Sequence, residues 1–219
     1  MGKVVAVVGM GPGVSAAVAR RFGREGYEVA AFARRRESLE EQVGALRAAG
    51  NIARAYVADV ADALGLASAL AAAAAELGPP EVLVFNAAAA RFKPLAALTA
   101  DELVADLRVS VGGALAAAQA VLPAMRERGS GSLLFTGGGF ALEPMPALAS
   151  LGAGKAALRN LAFSLYAELT PGGIHAATVT IGGSVAPGTA FDADRIAESF
   201  WALHAQPAGA FEREIVCRG

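Results

Sequence analysis

Cysteine is almost absent from this chain: Cys217 is the single thiol in 219 residues. One cysteine excludes a disulfide framework and a thiolate metal cluster, and it fits a reducing, cytoplasmic setting. Lying in the last apolar run, it reads as a small core residue. Histidine is scarce too, with two residues, and no clustered His/Asp/Glu spacing suggests a metal. An excess of one charge sign is also missing, because 19 Lys and Arg against 20 Asp and Glu leave a formal net charge of −1. That balance offers no broad footprint for nucleic acid or an acidic membrane. The longest uncharged stretch of helical character, 109–125, contains Ser110, Gln119 and Pro123. It falls short of the roughly 18 to 20 apolar residues a membrane span needs. The start, Met1-Gly2-Lys3 before a short valine-rich run, is too brief for a signal peptide. A soluble protein with a deeply buried helix is expected.

What is present is apolar and small. The chain is 55% hydrophobic and 18% charged, with 26 glycines. Such a composition supports a large core with helices packed closely on a sheet. No Pro/Ser-rich linker, charge block or internal repeat divides it, so one domain over 1–219 is expected. Residues 4–8 are a short β-branched run with nothing polar, the mark of a strand buried on both faces. Helix is then expected over 14–26, strand over 27–33, helix over 37–49, and strand over 52–57. The alternation continues with helix 62–77, strand 82–85, a long helix 99–128 opened by the Thr99–Glu102 capping box, and strand 133–136. Helix 151–169, strand 174–181, helix 194–203 and strand 214–217 complete it. Strict alternation implies parallel strands joined by crossovers. The fold class is α/β, a Rossmann-type doubly wound parallel sheet of about seven strands with helices on both faces.

Gly9-Met10-Gly11-Pro12-Gly13-Val14-Ser15 follows the first strand and opens the first helix. Glycines there let the backbone turn tightly and approach a pyrophosphate, which the helix N-terminus holds. After the second strand comes Arg34-Arg35-Arg36 rather than the acidic residue that would bond an NAD ribose. A guanidinium suits a 2′-phosphate. Cations are electrostatically misplaced at a helix N-terminus, so an anionic ligand is expected at Arg34 and secondarily Arg35. NADP(H) is thereby preferred over NAD(H). The bland alternative is a solvated helix start.

The Gly9…Gly13 spacing resembles the short-chain dehydrogenase/reductase family, with Ser15 where a third glycine is usual. Three further motifs fall in the right order on the right elements. Asp59-Val60 after the third strand is similar to the family's adenine-contacting pair, although Asp59 could equally cap the next helix. Asn86-Ala87 after the fourth strand resembles the family's Asn-Asn-Ala-Gly, with Phe85 and Ala88 departing from it. Gly183 and Ser184 stand where a turn after the sixth strand meets the nicotinamide, and Thr189 is a further cofactor candidate. The resemblance implies a serine, a tyrosine and a lysine acting together, with an asparagine on the preceding long helix. Aligned on Lys155, the tyrosine position holds Leu151, the serine position Gly138, and the asparagine position Ser110.

The resemblance thus implies that Lys155 remains, mainly to bind ribose, while the proton donor and the substrate-oxygen partner are lost. Ser110 is a secondary catalytic candidate. Ser150, Thr136, Tyr166, His175 and His204 are considered as replacements and none fits. The helical lid after the sixth strand is nearly absent. Two functions stay open: an NADP(H)-dependent oxidoreductase on a small carbonyl or alcohol with an atypical proton path, or a non-catalytic NADP(H)-binding pseudoenzyme serving as sensor or partner subunit. A homodimer or homotetramer is implied by the resemblance, through the faces 114–125 and 156–169. Phe200, Trp201 and Phe211 could make a second contact between copies, with burial in the monomer the simpler account.

Overall fold

The computed structural model describes residues 2–219; Met1, part of the N-terminal reading above, lies outside them. Seven strands are β1 Lys3–Val8, β2 Tyr27–Ala33, β3 Ala53–Val57, β4 Val82–Phe85, β5 Gly131–Gly138, β6 Ile174–Ile181 and β7 Glu214–Cys217. The helices are α1 Val14–Arg24, α2 Arg36–Ala48, α3 Ala63–Leu77, α4 Ala100–Leu107, α5 Gly113–Arg128, α6 Ala149–Leu169 and α7 Ala193–His204. One sheet has the order β3-β2-β1-β4-β5-β6-β7, and every neighbouring pair is parallel. This is the doubly wound Rossmann-type sheet that the alternation predicts. Its direction reverses at β1, which pairs with both β2 and β4. Loops leaving the C-terminal ends of β1 and β4 part there, and a crevice opens between them.

Val4 to Val8 are fully buried, because side chains alternate between two apolar layers. Val4, Ala6, Phe85 and Phe135 pack under α3, α5 and α6. Val5, Val7, Val84 and Leu134 pack under α1, α2 and α7. Small residues let the layers close tightly: a Cβ on Gly113 would stand 2.7 Å from the Val60 carbonyl oxygen. The expected capping box is present at α4, where Thr99 Oγ1 accepts from Glu102 N and Glu102 accepts from Thr99 N.

Two expectations need correction. The long helix over 99–128 is not uniform, since Arg108–Gly112 form a five-residue π-turn between α4 and α5. Together, residues 100–128 are long and apolar enough to cross a membrane by length and composition, which the shorter run 109–125 had not suggested. Ala114, Ala117, Ala118, Val121, Leu122 and Met125 are nevertheless buried on the sheet, so α5 packs as a core helix, while α4 buries only Asp106.

Beneath the sheet's N-terminal edge, His204 bridges two strands. Its Nε2 lies 2.7 Å from Tyr27 Oη and its Nδ1 lies 2.8 Å from Ser132 Oγ. Trp201 meets the ring edge-on and Phe22 lies tilted against it. Burial, reinforced by the charges of Lys3 and His175, lowers the His204 pKa from 6.5 to about 4. Folding therefore favours the neutral ring. This contribution is complete above pH 6.5 and is lost as pH falls towards 4, up to roughly 3 kcal/mol. Urea unfolding at pH 7.5 and 5 should show that loss, and His204→Gln should reduce its size. Equal stability at both pH values would contradict the assignment.

Candidate cofactor and active site

The crevice contains a cleft of about 270 Å³ between the ends of β1, β2 and β4. Its floor is Gly9 and Met10, its flank Arg34, Arg35 and Ser38, and its far wall Ala58, Val60 and residues 86–88. Gly9 and Met10 N–H groups both donate to Phe32 O, at 3.0 and 2.8 Å, which pins the turn to β2. Gly13 is the N-cap of α1 at φ +90°, without a capping side chain and with no acid in the first turn. By contrast, Asp62, Thr99 and Asp192 cap α3, α4 and α7 with their own side chains. Around Gly11 and Gly13 a Cβ would meet nothing within 4 Å. The α1 N-terminus therefore offers unpaired N–H groups and a positive dipole end onto open space.

Ser15 and Asn86 support this turn from behind. Ser15 Oγ donates to Gly9 O at 2.8 Å and accepts from Asn86 Nδ2 at 2.6 Å. Ser15 is buried, so it braces the loop in place of a third glycine. Val14 is buried beside it. Arg34 and Arg35 are exposed at the cleft, and among the described residues neither guanidinium makes an ion pair or hydrogen bond. Asp59 is exposed outside the cleft lining, and its Oδ1 accepts from Ala61 N at 2.9 Å, so it is engaged in a turn. Val60 and Ala87 do line the cleft. A nicotinamide dinucleotide phosphate fits this donor set: open glycines and a bare helix end for a pyrophosphate, and two free guanidiniums for a further phosphate.

At the other end, Lys155 lies on α6, one turn after Leu151, on the same helix face. Lys155 is buried and its Nζ donates to Thr136 O at 2.6 Å. Burial lowers its pKa from 10.5 to about 8. Gly138 sits above the lysine stem, where a Cβ would be 3.4 Å from Lys155 Cγ. Ser110, on the π-turn, is buried against Gly154 and accepts Ala89 N–H at 3.2 Å. It holds the 88–99 loop to the helix that precedes Lys155. No hydroxyl side chain stands at 138 or 151, so Lys155 Nζ is the polar head left in this corner.

Segment 182–192 is short. Gly183 is packed under the Phe191 ring, where a Cβ would collide. Ser184 is exposed. Thr189 Oγ1 donates to Ala186 O and accepts from Phe191 N, so it closes the turn before α7. Phe92 and Leu95 on loop 88–99, Leu142 and Met145 on the segment before α6, and Val185 on segment 182–192 are exposed. Loop 88–99 is tied to 146–148 by Lys93 N–H donating to Ala147 O.

The remaining candidates serve packing. Tyr166 Oη donates to Phe211 O, His175 stacks on Phe211 at 4.3 Å, and Ser150 is buried with no partner for its Oγ among the described residues. The single cysteine, Cys217, is half-buried at the end of β7. Sequence reasoning missed Met10, Ser38, Ala88 and Val109 as cleft walls. Each is adjacent in sequence to a residue that was singled out or on its helix, which was the available signal.

A family model described as short chain dehydrogenase matches residues 3–194. The chain is similar to an oxidoreductase of Sarocladium schorii, 34% identical over 173 residues, covering 79% of this chain and 68% of the relative. Against the 2,3-dihydro-2,3-dihydroxybenzoate dehydrogenase of Bacillus subtilis it is 31% identical over 183 residues, covering 84% and 70%. Among solved structures, a short-chain dehydrogenase from Rhodopseudomonas palustris aligns with TM-score 0.88 at 28% identity, over 99% of this chain and 98% of that one. A metagenomic short-chain oxidoreductase in complex with NADP aligns with TM-score 0.90 at 27% identity, over 99% and 96%.

Proposed function

Because the chain belongs to the short-chain dehydrogenase family, we propose that it binds NADP(H) and reduces or oxidises a small carbonyl or alcohol without a Ser–Tyr proton relay. The observation that carries the cofactor reading is a cleft lined by the Gly9–Met10 turn that leads to the uncapped α1 N-terminus and by two unpaired guanidiniums, Arg34 and Arg35. Gly11 and Gly13 leave room for the pyrophosphate, Gly9 lets the turn pack on Ala87, and Val14 and Ser15 hold the helix start. Arg34 and Arg35 receive the 2′-phosphate. Ala58 and Val60 wall the adenine, with Asp59 just outside. Asn86 and Ala87 support the ribose side, Lys155 bonds the nicotinamide ribose, and Gly183, Ser184 and Thr189 flank the amide. When bound, the nicotinamide supplies hydride chemistry. A relative solved with NADP supports the choice of nucleotide.

Fluorescence titration with NADPH and NADH tests the reading. Arg34→Ala should weaken NADPH binding about 10- to 100-fold, the loss of one charge-assisted contact, and leave NADH nearly unchanged. Equal losses for both nucleotides would place Arg34 outside the phosphate site.

Leu151 and Gly138 also favour a second reading, in which the chain binds NADP(H) as a non-catalytic partner. Single-turnover assays against a carbonyl panel separate the two. Pairing of the outer faces of α5 and α6 between copies, as dimer or tetramer, belongs to the same proposal, and sedimentation would test it. The exposed apolar side chains on loop 88–99, before α6 and on segment 182–192 favour an apolar substrate.

A further inference from the structure

We propose that the Lys155 ammonium itself is the proton donor to the substrate oxygen. The inference rests on the NADP(H)-dependent reading above and deepens it. Three observations meet at this atom. First, Lys155 Nζ has three N–H donors and one acceptor, Thr136 O at 2.6 Å. Two N–H groups remain for ligands. Second, the neighbouring positions supply no competing acid, because Leu151 is aliphatic and Gly138 has no side chain. Third, Gly138 leaves free the space directly over the lysine stem, 3.4 to 3.6 Å from its Cγ, Cε and Cδ measured from where a Cβ would be. The proposed donor role places the substrate oxygen beside the ammonium, past this glycine.

Chemically the step balances simply. As a carbonyl carbon accepts hydride, its oxygen takes a proton from Lys155 Nζ, forming an O–H bond and breaking an N–H bond. The neutral amine is then reprotonated from solvent. A pKa lowered to about 8 suits such a donor, since the ammonium is present at neutral pH and gives up its proton readily. Burial alone causes the shift. The charged groups on the elements packed nearby are paired or exposed. Asp106 on α4 is bonded to Arg91, Arg159 on α6 is bonded to Glu214 on β7, and Arg108 on the π-turn is exposed. The ends of β5 and β6 and residues 139–141 carry no titratable side chain.

The chain has three lysines, Lys3, Lys93 and Lys155, so one amine can be followed without ambiguity. Competitive acetylation of the whole protein across pH, read by mass spectrometry, should give a Lys155 midpoint near 8, with protection by NADPH. Single-turnover reduction should slow as pH rises through the same midpoint. Lys155→Arg keeps a charged donor for the ribose but does not release a proton. It should retain NADPH binding and lose about 10²-fold or more in rate. Lys155→Ala should be rescued saturably by ethylammonium, which a structural role would not predict. A Lys155→Arg rate within threefold of the parent, or Lys155→Ala that binds NADPH but is not rescued, overturns the proposal. Parent protein that binds NADPH yet reduces no carbonyl also overturns it and leaves the cofactor reading standing. Absence of NADPH binding removes the cofactor reading, and this proposal with it.

Discussion

The double substitution Leu151→Tyr with Gly138→Ser should raise single-turnover carbonyl reduction, by less than the roughly 10²- to 10⁴-fold worth of an acid placed where none exists, because the Lys155 ammonium already donates. The site can receive both side chains. Gly138 has an extended backbone, φ −158° and ψ 148°, that any residue adopts, and its Cβ would make an ordinary contact with the Lys155 stem. Leu151 is only half-buried, so a phenol ring can extend from the same helix face towards the cleft. A tyrosine four residues before Lys155 would feel the ammonium, which lowers a phenol pKa. The two singles should fall well short of the double, because serine holds the oxygen only usefully when an acid is beside it. Rapid-mixing oxidation of NADPH against a carbonyl panel checks this. A double variant that binds NADPH like the parent and gains nothing would show that substrate access, rather than the missing relay, limits chemistry.

Most of the framework could be read in advance because its signals are local. Buried β-branched runs such as 4–8 mark parallel strands, and Asp62, Thr99 and Gly129 punctuate helices where capping physics requires it. Gly9 and Gly13 carried the cofactor end for the same reason: both need positive φ, which glycine alone supplies without strain. What escaped the sequence depends on distant partners. The π-turn at 108–112 has no local code, and it places Ser110 against Gly154 and Ala89 N–H. Ser15 and Asn86 are each read singly from their own motifs, but their bond to each other spans 71 residues. Asp59 and Thr189 illustrate the reverse case. Short side chains with a nearby backbone N–H satisfy themselves in turns, and spacing alone does not separate that from ligand binding.

The glycine turn before α1 and the corner at Lys155 differ in what surrounds them. At the nucleotide end every exceptional backbone geometry has a purpose, either an open Cβ position or a brace behind it. At the chemical end the lysine remains bonded to Thr136 O while its companions at 138 and 151 are apolar. A fold that had lost nucleotide binding would have no need of a glycine at φ +90° capping α1 with nothing around it.

Gly9→Ala should be the most damaging single change in the cofactor turn. A Cβ at this position would lie 2.5 Å from Ala87 N and 2.8 Å from Ala87 Cα, both backbone atoms of the segment leaving β4. Relief requires β1 and β4 to part at their C-terminal ends, where the cleft begins. The φ of +89° adds a strain of about 1 to 3 kcal/mol for any residue with a Cβ. Movement would also break the Ser15 hydrogen bond to Gly9 O. A total of about 3 kcal/mol corresponds to roughly 6 to 12 °C in Tm for a chain of this size, with NADPH binding abolished. Gly11→Ala is the control, because its Cβ would meet nothing within 4 Å and its φ is not positive. It should melt like the parent and lose NADPH affinity alone, since its methyl group projects into the pyrophosphate space. Calorimetry with and without NADPH separates the two variants. If Gly9→Ala melts with the parent, the turn yields more easily than its contacts with β4 imply, and the rigidity assigned to the cleft floor is wrong.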